Sequence, residues 1–191
     1  CRATLRHEPD EVQARVALVQ ADMRRFHLDR RFRLVTLPFR PFQQLTTVED
    51  HLACLKTIHR HLDDGGRLIL DLFNPSLHAL ARDNVGEERG AEPPFTLPDG
   101  RVVLRRERVV SRDYAAQVIE VELIYYVTHP DGREERLVHA FPMRYLFRFE
   151  VEHLLARCGF EVEALYSDYE RRPFGSTYPG ELIVVARKAR E

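Results

Sequence analysis

The sequence predicts an α/β domain on a doubly wound, mostly parallel sheet with an antiparallel last strand, interrupted by an inserted antiparallel β meander. Apolar runs at 16–22 (VALVQAD), 32–39 (FRLVTLPF) and 67–73 (RLILDLF) read as strands covered on both faces. Helical connections between such runs imply parallel pairing. From about residue 101 to 147 the apolar period becomes two, the mark of a half-buried antiparallel sheet. The last two runs, 161–169 and 181–188, are joined by a loop of roughly ten residues, too short for a crossover, so they run antiparallel.

At 191 residues the chain is one domain with an insertion, long enough for a real core. A 44% hydrophobic and 31% charged composition is that of an ordinary soluble globular protein. The net charge of −1 gives no global field for nucleic acid or an anionic membrane. The cations are nearly all arginine; Lys56 and Lys188 are the only lysines. Cys1, Cys54 and Cys158 have neither paired nor metal-type spacing, and the two inside helical patterns read as small core residues. No apolar stretch approaches the ~20 residues of a membrane span, and no signal peptide is present, so the expected location is the cytoplasm. The chain starts at Cys1 with what reads as the tail of a helix, CRATLRHEPDE, and no strand before it. The sequence is therefore read as N-terminally truncated.

After the 16–22 run, MRRFHLDRRF reads as a solvated arginine-rich connection with Phe26, Leu28 and Phe32 packed inward. Thr46-Thr47-Val48-Glu49 reads as a capping box, Thr46 reaching forward and Glu49 back. Val48, Leu52, Leu55, Ile58 and Leu62 follow at helical spacing. Asp63-Asp64-Gly65-Gly66 closes that helix, glycine accepting the left-handed conformation of a helix end. Residues 74–100 are irregular. In the meander, Ile119, Val121, Leu123, Tyr125 and Val127 share a face, His129-Pro130-Asp131-Gly132 turns the chain, and Leu137, Phe141, Met143 and Tyr145 continue the alternation on the return strand, His139 sharing a face with Leu137 and Phe141. Pro142 cannot donate to a ladder, so its strand is an edge or carries a bulge. A helix at 148–158, closed by Gly159, precedes the last two strands. Three segments result: a partial sheet core at 1–76, an inserted loop and meander at 77–147, and a closing helix with two antiparallel strands at 148–191.

In this arrangement VQADMRRF, FRLVTLPFRPFQQL, HRHLDDGGRLILDLFNP and FRFEVEHLLARCGFEVEALYSDY with ELIVVARK resemble, in order and spacing, class I S-adenosylmethionine-dependent methyltransferases. The likeness covers nearly the whole chain and implies a Rossmann-like fold and S-adenosyl-L-methionine as cofactor. Departures are equally plain. The family's glycine-rich first turn and its acidic ribose-binding residue are not in this sequence. Arg33 replaces an acidic residue at the start of the second run, and Asp64 replaces the usual proline before Gly65-Gly66. These departures predict weak cofactor retention by the chain as it stands.

The resemblance implies roles for residues at the strand ends, where ligands of such sheets bind. Asp22 would accept from the adenine amino group, with the Met23 N–H donating to a ring nitrogen; Leu37, Pro38 and Phe39 would lie beneath the sulfonium. Phe42, Asn74, Arg144 and Tyr145 are the substrate-facing candidates. His139 and Tyr178 are the candidates for a base, each with an ordinary structural alternative, and no metal site is expected. The meander reads equally as a substrate lid and as a dimer flap. Missing basic and aromatic clustering argues against a nucleic-acid substrate. The expected function is methyl transfer to a small molecule. Its rivals are a nicotinamide-dependent oxidoreductase on a similar sheet and a non-catalytic interaction module.

Overall fold

A computed structural model describes residues 2–90 and 92–189. Cys1 lies outside the described residues. Two short helices, α1 (Arg2–Leu5) and α2 (Asp10–Gln13), precede an extended stretch. The first sheet contains β1 (Phe32–Leu37), β2 (Leu62–Phe73), β7 (Phe160–Tyr166) and β8 (Glu181–Lys188), in the order β1-β2-β8-β7. β1 and β2 are parallel, with a short 3-10 turn (Pro41–Gln44) and α3 (Val48–Arg60) between them; β8 runs antiparallel to both β2 and β7. Between β2 and β7 come α4 (Leu77–Leu80), a second sheet of β3 (Phe95–Thr96), β4 (Val102–Asp113), β5 (Val118–Thr128) and β6 (Glu134–Arg144), and then α5 (Arg148–Arg157). The second sheet is an antiparallel meander in chain order. Pro142 lies in β6, its edge strand.

One face of the first sheet forms the core. Leu68, Leu70 and Leu72 of β2 and Leu182, Val184 and Ala186 of β8 alternate onto it, against Leu55 and Ile58 of α3 and Val151, Leu154 and Leu155 of α5. Each leucine so buried contributes roughly 1.5–3 kcal/mol relative to exposure. Cys54 and Cys158 belong to this cluster, and burial pushes the Cys54 thiol up to about 12. The opposite face presents Thr36, Arg67, Ile69, Asp71, Ile183 and Val185 to an open groove.

Four expectations are corrected. Residues 16–22 form no strand: they lie extended, with Val16, Leu18 and Val19 exposed. Apolar content does not suffice for a strand, which needs ladder partners, and β1 is the end strand of its sheet. The cap of α3 is Thr47, whose side chain accepts from the Asp50 N–H, because Thr47 is the residue with extended backbone one step before the first helical turn. The buried stripe of α3 is His51, Cys54, Leu55, Thr57 and Ile58, rotated from the expected one, with Val48 and Leu52 only partly covered. Finally, α3 ends at Arg60 and β2 begins at Leu62, which pairs with Phe32 before the ladder breaks across 63–66. Gly65 takes φ +72° there, and a Cβ on Gly66 would meet the Asp63 carbonyl at 2.9 Å.

Candidate functional site

The carboxyl ends of β1, β2 and β7 lie together, and the groove of about 790 Å³ runs to them along the uncovered sheet face. Its floor is aliphatic (Ile69, Ile183, Val185, Ala164). Arg67 and Glu163 pair at one end at 2.6 Å, and Leu37, Pro38, Asp71, Tyr169 and Arg171 surround the other. A concave apolar floor with few convergent polar groups is the usual form of a small-molecule site.

Beyond β1 the backbone turns through two consecutive left-handed residues, Phe39 (φ 64°) and Arg40 (φ 62°). Side chains carrying a Cβ adopt this region at a cost, and such strain concentrates at sites where the surroundings enforce it. Here the enforcement is visible. The Phe39 N–H donates to Asp71 Oδ2 at 3.1 Å, and the Arg40 guanidinium donates to both Glu181 carboxylate oxygens at 2.8 Å. The Phe39 ring projects into solvent, 90% exposed. The Tyr169 hydroxyl donates to the same Asp71 oxygen at 2.8 Å, and that bond, with partial burial, pushes the phenol up to about 12. Asp71 itself is only 6% exposed, and its Oδ1 has no hydrogen-bond partner.

The structure brings Leu37, Pro38 and Phe39 to this site, and places the other sequence-predicted residues elsewhere or in structural contacts. Asn74 is buried just past β2, its amide donating to the Pro179 carbonyl. The Tyr178 hydroxyl accepts from the Leu77 N–H at 3.0 Å and faces the Pro75 carbonyl at 3.4 Å, tying the loop before β8 to the end of β2. Asp22 and Met23 do not line the groove. Asp22 accepts from the Arg24 backbone and guanidinium, which hold its carboxyl down to about 2, and Arg24 reaches on to Asp50 at the start of α3. Met23 packs on the core. Phe42 is completely buried against His51, ring centroids 4.5 Å apart. Arg144 donates to the Thr46 carbonyl at 3.1 Å, and Tyr145 is buried edge-on to Phe147. His139 is exposed on β6 beside Phe141.

Asp71, Tyr169 and the Arg40–Glu181 pair escaped sequence reasoning. For Asp71 a signal existed, a lone carboxylate inside the apolar run RLILDLF. Tyr169 and Glu181 carry none, since they meet the site only through the fold.

Among the described residues no group of three His, Cys, Asp or Glu side chains is placed to hold a metal, and no helix is long and apolar enough to cross a membrane.

No protein-family model matches the chain, and no curated protein is similar to it in sequence. Solved structures are similar. CalS10 from Micromonospora echinaspora, an amino pentose methyltransferase, superposes with a TM-score of 0.65 at 23% identity over 88% of this chain and 63% of its own. The CcbJ methyltransferase from Streptomyces caelestis gives 0.72 at 19% over 99% and 69%. The sugar N-methyltransferase KedS8 from Streptoalloteichus sp ATCC 53650 gives 0.67 at 20% over 94% and 66%. This chain thus spans between 63% and 69% of the length of these proteins. At these identities the likeness shows the fold alone: a mixed α/β fold of the kind these methyltransferases have.

Proposed function

We propose that this chain is the sheet-forming portion of an S-adenosylmethionine-dependent methyltransferase acting on a small-molecule acceptor in the cytoplasm. The observation that carries the reading is the fold likeness, over 88% and more of the chain, to proteins named as methyltransferases. The groove ending at the strained Phe39-Arg40 turn supports it, because ligands of such sheets bind beyond the strand carboxyl ends. The names of two of those relatives, an amino pentose and a sugar N-methyltransferase, support a compact polar acceptor.

When bound, the cofactor supplies a methyl group on a positively charged sulfur. The protein's part is alignment of acceptor and methyl carbon, with water kept out. In this reading Asp22 and the Met23 N–H hold the adenine edge, and Leu37, Pro38 and Phe39 form the apolar wall beside the sulfur. Asn74 and Tyr178 shape the acceptor end from β2 and the loop before β8. Phe42, Arg144 and Tyr145 support that end from behind. His139 serves as a base only with the meander folded over the site as a lid; as a flap the same sheet would join two copies.

Calorimetry with S-adenosyl-L-homocysteine tests the proposal. Saturable binding that Asp22→Ala weakens at least tenfold supports it. Binding of a nicotinamide dinucleotide in its place would falsify it.

A further inference from the structure

Asp71 has an electrostatic problem that the rest of the molecule does not solve. Asp71 is only 6% exposed, yet no Arg, Lys or His lies within ion-pair distance among the described residues. Its donors, the Phe39 amide and the Tyr169 hydroxyl, are both neutral and both act on Oδ2, leaving Oδ1 without a partner. Arg40, next along the chain from Phe39, is committed to Glu181 at 2.8 Å. A buried carboxylate with no cation in ion-pair contact is costly, and such groups are normally paired, whereas Arg171 only borders the same end of the groove.

Asp71 also borders the groove, and the group laid over it is movable. Tyr169 is 71% exposed and tied here by its hydroxyl, so swinging the ring outward opens the carboxyl group to the groove. Beside that opening lie Ile69, Ile183 and Val185, which suit a small hydrocarbon body. We infer that Asp71 is the anchor for the protonated nitrogen of a small amine, which displaces the Tyr169 hydroxyl and rests its carbon frame on the aliphatic floor. Cationic N–H donors are shorter and stronger partners for a carboxylate than the neutral groups now there. This deepens the methyl-transfer reading, on which it rests for the amine's role as methyl acceptor: the ammonium first gives one proton to the Asp71 carboxylate, and the freed nitrogen lone pair attacks the methyl carbon as its bond to sulfur breaks; the binding site itself stands on the geometry alone.

The test is an amide NMR titration of the chain with cyclohexylamine and, as the uncharged counterpart of equal shape, cyclohexanol. The Phe39 amide, which donates to Asp71, is the reporter. The amine should move that signal saturably and bind at least tenfold more tightly than the alcohol. Asp71→Asn should abolish the difference. Tyr169→Phe, with no hydroxyl to displace, should bind the amine several-fold more tightly; it also serves if the Asp71 variant fails to fold. Equal binding of amine and alcohol, or weaker amine binding by Tyr169→Phe, overturns the assignment. Amine binding together with a nicotinamide dinucleotide in place of S-adenosyl-L-homocysteine keeps this site and sinks the methyl-transfer reading; S-adenosyl-L-homocysteine binding without amine binding sinks this site alone.

Discussion

Gln43 and Phe73 are joined as two strand residues would be: the Phe73 N–H donates to Gln43 Oε1 at 2.6 Å, and Gln43 Nε2 donates to the Phe73 carbonyl at 3.3 Å. A completely buried side-chain amide thereby satisfies the backbone at the end of β2, where the chain leaves the sheet toward Asn74. Removing it orphans a part-buried donor and a part-buried acceptor at once. Each such group costs about 1–3 kcal/mol, so Gln43→Ala should lower the unfolding free energy by about 2–4 kcal/mol. Urea unfolding followed by circular dichroism measures this, and a loss below about 1 kcal/mol contradicts the role given to Gln43.

His51 predicts a pH dependence. Burial holds its pKa down to about 4, with the Arg144 charge adding to the effect, and its Nδ1 has no partner. The folded state needs the ring neutral, while the unfolded chain takes up the proton as pH falls below 6.5. Stability from this residue is therefore complete above 6.5 and drains away between 6.5 and about 4, by at most about 3 kcal/mol. Across that window the wild-type chain should lose more stability than His51→Gln. Parallel pH profiles of the two would remove the assignment.

Hydrophobic patterning exposed much of this fold and missed specific parts for physical reasons. The parallel β1–β2 pair, the meander and the reversed β8 were legible, because period and loop length constrain pairing directly. Residues 16–22 were not, since an apolar run reports burial propensity and says nothing of whether a ladder partner stands beside it. At the site, Leu37, Pro38 and Phe39 were legible from their place at a strand end. The Asp71–Tyr169 contact spans 98 positions, and no local signal encodes it.

The two faces of β2 give a differential prediction. Leu70 is completely buried against the helices, while its neighbour Ile69 faces the groove. Leu70→Ala should cost about 3 kcal/mol in transfer and cavity terms, and Ile69→Ala under about 1 kcal/mol, because that face is already open. Comparable losses at both positions, read from urea midpoints at constant slope, would mean that something covers the groove face in solution.

The left-handed turn at Phe39 separates stability from binding. Its ring is 90% exposed and buries almost nothing, so the fold gains little from the side chain and bears the strain of φ 64°. Glycine adopts this conformation without a Cβ clash and keeps the N–H that donates to Asp71. Phe39→Gly should leave stability unchanged or raise it by up to about 1 kcal/mol, the relief of strain being partly offset by the greater freedom of glycine in the unfolded chain. A residue kept at a structural disadvantage in open space at a groove mouth is expected to serve a ligand. The same variant should therefore weaken S-adenosyl-L-homocysteine binding several-fold while melting no earlier than the parent. A variant that melts several degrees lower with unaltered affinity would make Phe39 a structural residue and leave the strained turn without a role in binding.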